Sequence, residues 1–276
     1  MALVEKVRST LDMKPVTVGE LQDINVISIK DGEAHGLMVP LKDEKNENSC
    51  VLSYYEVGLK PNDRKTKLVN MIVMQYLNEP FFDDLRTKQQ LGYVVFSRHH
   101  SEREVLNCQF LVQSPKKSCE YLVQQINEFL VATREAVKKL SDEDFEVQKQ
   151  AVMTKLAEKD FNLQKESARF WEEIIFHHYE FNRQDLEIEA LKLITKDEFV
   201  AHFEQIFFSA DSKRLDIELT SAAHESENSE LLESNKKHLM FTEVFKGRQI
   251  HTATIDEFKS LFELHPDTLK QSYAKM

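Results

Sequence analysis

Residues 79–96 read EPFFDDLRTKQQLGYVVF and carry the chain from helical to extended patterning. Proline is tolerated in a first helical turn, so a helix is predicted from Pro80 to about Gln90, broken near Gly92. On it Phe81 and Leu85 share a face that can enter a core, while Phe82 and Arg86, four residues apart, share another that is free for a partner. Tyr93 follows Gly92 at the head of a strand. Arg86, as a fixed fork of donors, and Tyr93, as a phenolic donor, can therefore approach one external peptide group. The residues alone favour a plainer arrangement: Arg86 paired with Asp83 or a neighbouring acid, and Tyr93 half-buried in the strand. Composition does not overturn that preference.

Outward from this segment, Leu68, Met71, Ile72, Gln75 and Tyr76 recur with the spacing of a core-facing helix that starts after Asn62. Pro80 is expected to end it and restart the chain. Two strands follow, Tyr93–Ser97 and Val105–Gln113, the second with Cys108, Phe110 and Val112 on one face. Three long helices come next. The first carries a stripe at Leu122, Ile126, Phe129, Leu130, Thr133, Val137 and Leu140, the second starts at Ser141 with Asp144, and the third, about Gln164 to Tyr179, is unusually aromatic. Thr195 with Glu198 resembles a capping box opening a fourth helix through Phe199, Phe203 and Ile206.

Toward the N-terminus, Ala2–Leu11 reads as a short helix ending before Pro15. Period-2 stretches suggest strands at Ile24–Ile29, Leu37–Leu41 and Val51–Val57, with Lys42–Ser49 as a solvated hairpin loop. Near the other end Leu215, Ile217 and Leu219 alternate with charged residues in a last strand, and the polar Glu225–Lys237 reads as a mobile loop. The order of elements describes an α+β domain: a mixed, mostly antiparallel sheet with helices packed on one face, needing one covered face only.

Bulk properties narrow the function. The 276 residues are 41% hydrophobic, enough for a core, and 36 Lys and Arg stand against 47 Asp and Glu. A net charge of −11 argues against nucleic acid or an anionic membrane as the main partner. Cys50, Cys108 and Cys119 form no CxxC pair or disulfide framework and fit reduced thiols in a cytosol. MALVEKVRSTLD has no apolar signal region, and no apolar run reaches membrane-spanning length, so neither secretion nor insertion is expected. The six glycines assemble no phosphate-cradling loop.

Zinc peptidases place two His on one helical face, as HExxH or HxxEH, so that both side chains reach one ion while the Glu polarises water. Neither string occurs. His99–His100 and His177–His178 are adjacent pairs whose side chains diverge, and Glu173 with His177, one turn apart, offers two ligands at most. There is no GxSxG elbow and no cysteine nucleophile motif.

LRTKQQLGYVVF closely resembles the LRTKEQLGY stretch in the last domain of insulin-degrading enzyme and its relatives. ARFWEEIIFHHYEFNR (Ala168–Arg183), LKLITKDEFVAHFEQIF (Leu191–Phe207) and IDEFKSLFELHP resemble further segments of that domain in order and spacing, so the resemblance covers about Ile24 to Pro266. HHSERE, from His99 to Glu104, departs from the family as a more charged turn.

The resemblance implies the fold shared by LuxS and the mitochondrial processing peptidases. Full-length relatives have four such αβ domains in two bowl-shaped halves around a peptide-sized chamber, with the zinc-binding HxxEH in the first. This chain resembles the fourth, residues 21–276, and residues 1–20 resemble the end of the third domain and a linker. It further implies a role without bound zinc, the zinc of the full-length enzyme being held by another domain. The N-terminal catalytic domains, peptide substrates and a second copy are the implied partners. By the same resemblance Arg86 and Tyr93 reach the substrate backbone beside the zinc and stabilise a developing oxyanion, and Phe82 forms apolar chamber wall. A stand-alone inactive binding module of the same fold, or a non-catalytic processing-peptidase subunit, is the alternative. The cytoplasm is the expected location, Ala274-Lys275-Met276 being only a loose match to a peroxisomal signal.

Overall fold

The computed structural model describes residues 2–11, 17, 26–59, 63–176, 178–235 and 248–266. Along the chain run α1 (Ala2–Thr10), β1 (Ile27–Ser28), β2 (Ala34–Pro40), β3 (Ser49–Leu59), α2 (Arg64–Phe82), a π-helix (Asp83–Lys88), β4 (Val95–Glu102) and β5 (Val105–Ser114). Then come α3 (Cys119–Lys138), α4 (Asp142–Leu156), α5 (Leu163–Ile175), α6 (Arg183–Lys192), α7 (Lys196–Phe208) and β6 (Lys213–Thr220). α8 (Glu225–Asn235), β7 (Arg248–His251), α9 (Ile255–Lys259) and β8 (Glu263–Leu264) complete the order.

A six-stranded sheet has the order β4-β5-β3-β6-β2-β7. Its pairs are antiparallel from β4 to β6, while β2 runs parallel to both neighbours, so the sheet is mixed and mostly antiparallel. β3 alternates as its sequence requires: Val51, Ser53 and Tyr55 turn inward under the helices. The main core lies there, with Leu68, Ile72, Val73, Leu77 and Phe81 of α2 fully covered. Phe81 meets Phe110 and Phe129 edge-on, each with ring centroids 5.2 Å away. Fully burying a side chain of this size is worth roughly 1.5–3 kcal/mol.

The capping residues behave as their chemistry dictates. Ser141 accepts the backbone N–H of Asp144, and Thr195 with Glu198 forms a complete capping box. The expectations at Leu37–Leu41, Val51–Val57, Val105–Gln113 and the four helices of the middle region correspond to β2, β3, β5, α3, α4, α5 and α7.

Several expectations are corrected. Pro80 does not restart the chain: it lies inside α2, and the N–H of Asp83 still reaches the Glu79 carbonyl across it. Pro80 withholds only its own donor from the Tyr76 carbonyl, and the chain runs on from α2 directly into the π-helix. Tyr93 lies ahead of β4, not within a strand. Of the strand expected at Ile24–Ile29, only Ile27–Ser28 is extended, while residues 24 and 25 are outside the described residues.

The sheet also has two covered faces where one was expected. Ile29, Leu37, Leu215 and Phe258 form a second, smaller core on the face away from α2. On β6 the alternation is as read, but the charged set points the other way from a solvated face: Arg214, Asp216 and Glu218 are buried and Leu219 is exposed. Glu225–Lys237 is not a loop over its described part, because residues 225–235 form α8. Glu227 accepts the backbone N–H of Ser118 at 2.7 Å and Asn228 that of Glu120 at 2.9 Å, which pins this polar helix to the start of α3. Of residues 1–20, expected as the tail of another domain and a linker, 2–11 and 17 are described and carry α1, while His177 and the Ala274–Met276 tripeptide lie outside the described residues.

Candidate functional site

The π-helix and the turn into β4 set the geometry of residues 82–95. Gln89 N–H reaches the Asp84 carbonyl at 2.9 Å and Leu91 N–H the Leu85 carbonyl at 3.1 Å, hydrogen bonds wider than an α-turn. This widening lets Phe81, Leu85, Leu91 and Val95 all drop into the core. The outward side carries Phe82, 45% exposed, and Tyr93, 84% exposed, with Arg86 half-buried between helix and turn.

The turn is clamped to the end of β5. Ser114 Oγ donates to the Leu91 carbonyl at 2.5 Å, and Gln113 N–H donates to the Val94 carbonyl at 2.9 Å. Between these contacts the backbone of Gly92 passes so close to Gln113 that any Cβ would sit 1.7 Å from its carbonyl oxygen. Glycine is needed there for close approach, and Gln90 takes a left-handed φ of 52° to bring the chain round.

Arg86 lays its guanidinium over the Tyr93 ring, with Cζ 5.1 Å from the centroid. Asp83, the acid offered by the plainer arrangement, pairs instead with Lys88 at 2.8 Å. Arg86 enters no ion pair with any described residue, so its donor fork is open to an incoming acceptor. The structure thus brings Arg86 and Tyr93 together at an exposed turn, and leaves Phe82 exposed four residues before Arg86.

The residues do not fit a zinc ion. Among the described residues no group of three or more His, Cys, Asp and Glu side chains is placed to hold a metal. Glu173 is taken by Arg183, with Nε–Oε1 2.5 Å and Nη2–Oε2 3.1 Å. His178 Nε2 lies 2.6 Å from Glu104. His99 is held neutral by burial and by the charges of Lys67 and His100, its pKa lowered to about 4.

Two clusters escape sequence reasoning because their members are far apart in the chain. His35 Nδ1 lies 3.3 Å from His251 Nε2, with Glu33 3.0 Å from the other nitrogen of His35. Under α3, Arg248 Nη1 lies 2.9 Å from both Asp216 and Glu218, its Nη2 pairs with Glu120, and Arg214 Nε holds Asp216 at 2.9 Å. Glu218 sits at ion-pair distance but out of hydrogen-bond line, so neither of its oxygens has a hydrogen-bond partner. Burial pushes its pKa up to about 7 against the pull of Arg248, with Asp216 and Glu120 adding to the rise. The only sequence signal was the charged half of the β6 alternation.

The mixed sheet and its helix layer have the pitrilysin-type fold. Over 97% of the chain the fold superposes on pitrilysin with a TM-score of 0.72, at 16% identity and over 26% of that chain. A peptidase M16 inactive domain from Pseudomonas fluorescens matches over 81% of this chain and 50% of its own, with a TM-score of 0.54 and 10% identity. Residues 72–171 match the family model described as PQQ synthase PqqF-like, C-terminal lobe domain 4.

Sequence relatives carry the match further. The putative zinc protease mug138 of Schizosaccharomyces pombe is 30% identical over 229 residues, 82% of this chain and 23% of its own length. Human nardilysin is 32% identical over 205 residues, 74% of this chain and 18% of its own. Human insulin-degrading enzyme is 26% identical over 211 residues, 75% of this chain and 20% of its own. Insulin-degrading enzyme and nardilysin are homologues of this chain, and its residues 72–171 resemble a domain of the C-terminal lobe. The chain spans about a quarter or less of the length of these relatives.

Proposed function

We propose that this chain is the non-zinc-binding C-terminal domain of a larger zinc metalloendopeptidase, where it helps enclose a peptide and position it for hydrolysis. Arg86 offers parallel N–H donors to a substrate carbonyl, and the Tyr93 hydroxyl donates to the same peptide group. As the carbonyl carbon becomes tetrahedral its oxygen gains charge, and donors already in place stabilise that charge without reorganising. Phe82 supplies apolar wall beside them. The zinc belongs to another domain, and this chain alone is inactive.

The observation that carries this reading is the Arg86–Tyr93 stack. A guanidinium with no ion pair among the described residues is held over an exposed phenol by a turn that tolerates only glycine at position 92. A structural arginine would be expected to take Asp83, which pairs with Lys88 instead. The test is cleavage of a fluorogenic peptide by the product of the whole native reading frame. Arg86→Ala and Tyr93→Phe should each depress turnover, and a reading frame with no HxxEH-bearing domain would refute the proposal.

A further inference from the structure

α5 is a strongly amphipathic helix that covers almost nothing. Residues 163–168 are all exposed, and along the described helix only Glu173 is buried. Its side-chain ties among the described residues run to the segments just before and after it: Arg169 Nε to Asp160 at 2.8 Å, Arg183 and the N–H of Glu180 to Glu173, and Phe170 against Phe181 with centroids 6.0 Å apart. Leu163, Trp171, Ile174 and Ile175 fall within one side of the helix and are exposed, and Phe161 just ahead of it is exposed as well. A helix of this length is marginal in water unless its apolar side is covered.

We propose that this side of α5 is a docking surface for the part of the longer polypeptide that precedes the chain, meeting an apolar patch there. The inference rests on the reading of the chain as one domain of a larger peptidase. By helical spacing Glu166 and Glu172 flank this side while Lys165 and Arg169 lie across the helix from it, so an acidic rim suits a protein surface better than an anionic membrane. Size decides between a second copy and a covalently linked neighbour. The exposed side chains of one such helix offer a few hundred Å², below the roughly 800 Å² per partner of a stable free-standing complex. A tethered neighbour needs less, because the linker holds it at an effective concentration of about millimolar. The chain spans 23% of one relative and 18% of another, so such a neighbour has ample length to come from.

Trp171 is the only tryptophan, which makes the surface directly observable. The chain prepared with 5-fluorotryptophan should give one fluorine resonance that does not move with the chain's own concentration. Adding the unlabelled polypeptide encoded ahead of it in the native reading frame should shift that resonance. Ile174→Glu should weaken the association by about tenfold or more, while Val147→Glu on exposed α4 should not. A resonance that moves with self-concentration assigns the surface to a second copy and overturns the proposal. Absent association, or association indifferent to Ile174→Glu, overturns it too. The readout involves no cleavage, so it stands or falls apart from the roles of Arg86 and Tyr93.

Discussion

The backbone of Gly92 runs against the carbonyl of Gln113 so closely that a Cβ would lie 1.7 Å from the oxygen. Gly92→Ala must therefore push the turn off β5 or distort β5 itself. It is expected to cost about 2 kcal/mol or more in urea unfolding and to loosen the Tyr93 ring from Arg86. Unchanged stability would mean that the turn has slack the geometry denies.

Arg248 pairs with Glu120, Asp216 and Glu218, and Arg214 holds Asp216 through its other oxygen. Arg248→Ala takes this guanidinium from beside three buried carboxylates. A loss of roughly 3–5 kcal/mol is expected, the range for breaking one side of a buried ion pair. Arg248→Lys should recover only part, since a point charge cannot span Asp216, Glu218 and Glu120 as a planar fork does.

Glu218 gives the pH dependence its sign. Its pKa rises on folding from 4.5 to about 7, so the folded state binds that proton more tightly than the unfolded one. Its contribution is complete below about pH 4.5 and is lost as pH rises toward 7, where the buried carboxylate must ionise. Glu218→Gln should match wild type near the acid end and gain on it by roughly 3 kcal/mol above pH 7. Unfolding curves for both proteins across this range measure the difference, and parallel profiles would contradict the assignment.

How far the sequence reveals this molecule varies from one element to the next. The stripe through Leu68 and Ile72, the Ser141 cap and the capping box at Thr195 are local, and local chemistry fixed them. β6 shows the limit: period 2 separates Arg214, Asp216 and Glu218 from Leu215, Ile217 and Leu219, but it does not say which set faces the helices. That depends on Arg248 arriving from a distant strand to neutralise the acids. α8 was hidden for a similar reason, since its polar sequence is held by Glu227 and Asn228 capping α3, not by an apolar stripe.

At the candidate site, residues 79–96 point to Arg86, Tyr93 and Phe82, and the structure stacks Arg86 on Tyr93 and leaves Phe82 exposed. The π-helix was not legible. Pro80 reads as a break when only propensity is considered, whereas the buried contacts of Phe81 and Leu85 carry the helix past it. The stacking of Arg86 on Tyr93 depended on Asp83 choosing Lys88, a competition between neighbours that spacing does not decide.

In the proposed function, Arg86 and Tyr93 hold a peptide for cleavage by a metal carried elsewhere in the polypeptide. The most direct measurement is kcat and KM for a fluorogenic peptide with the full native reading-frame product and its Tyr93→Phe and Arg86→Ala variants. Loss of one oxyanion donor should lower kcat by about 10²–10³-fold, with KM changed far less. Near-normal kcat in both variants, with the zinc-bearing domain present, would contradict it.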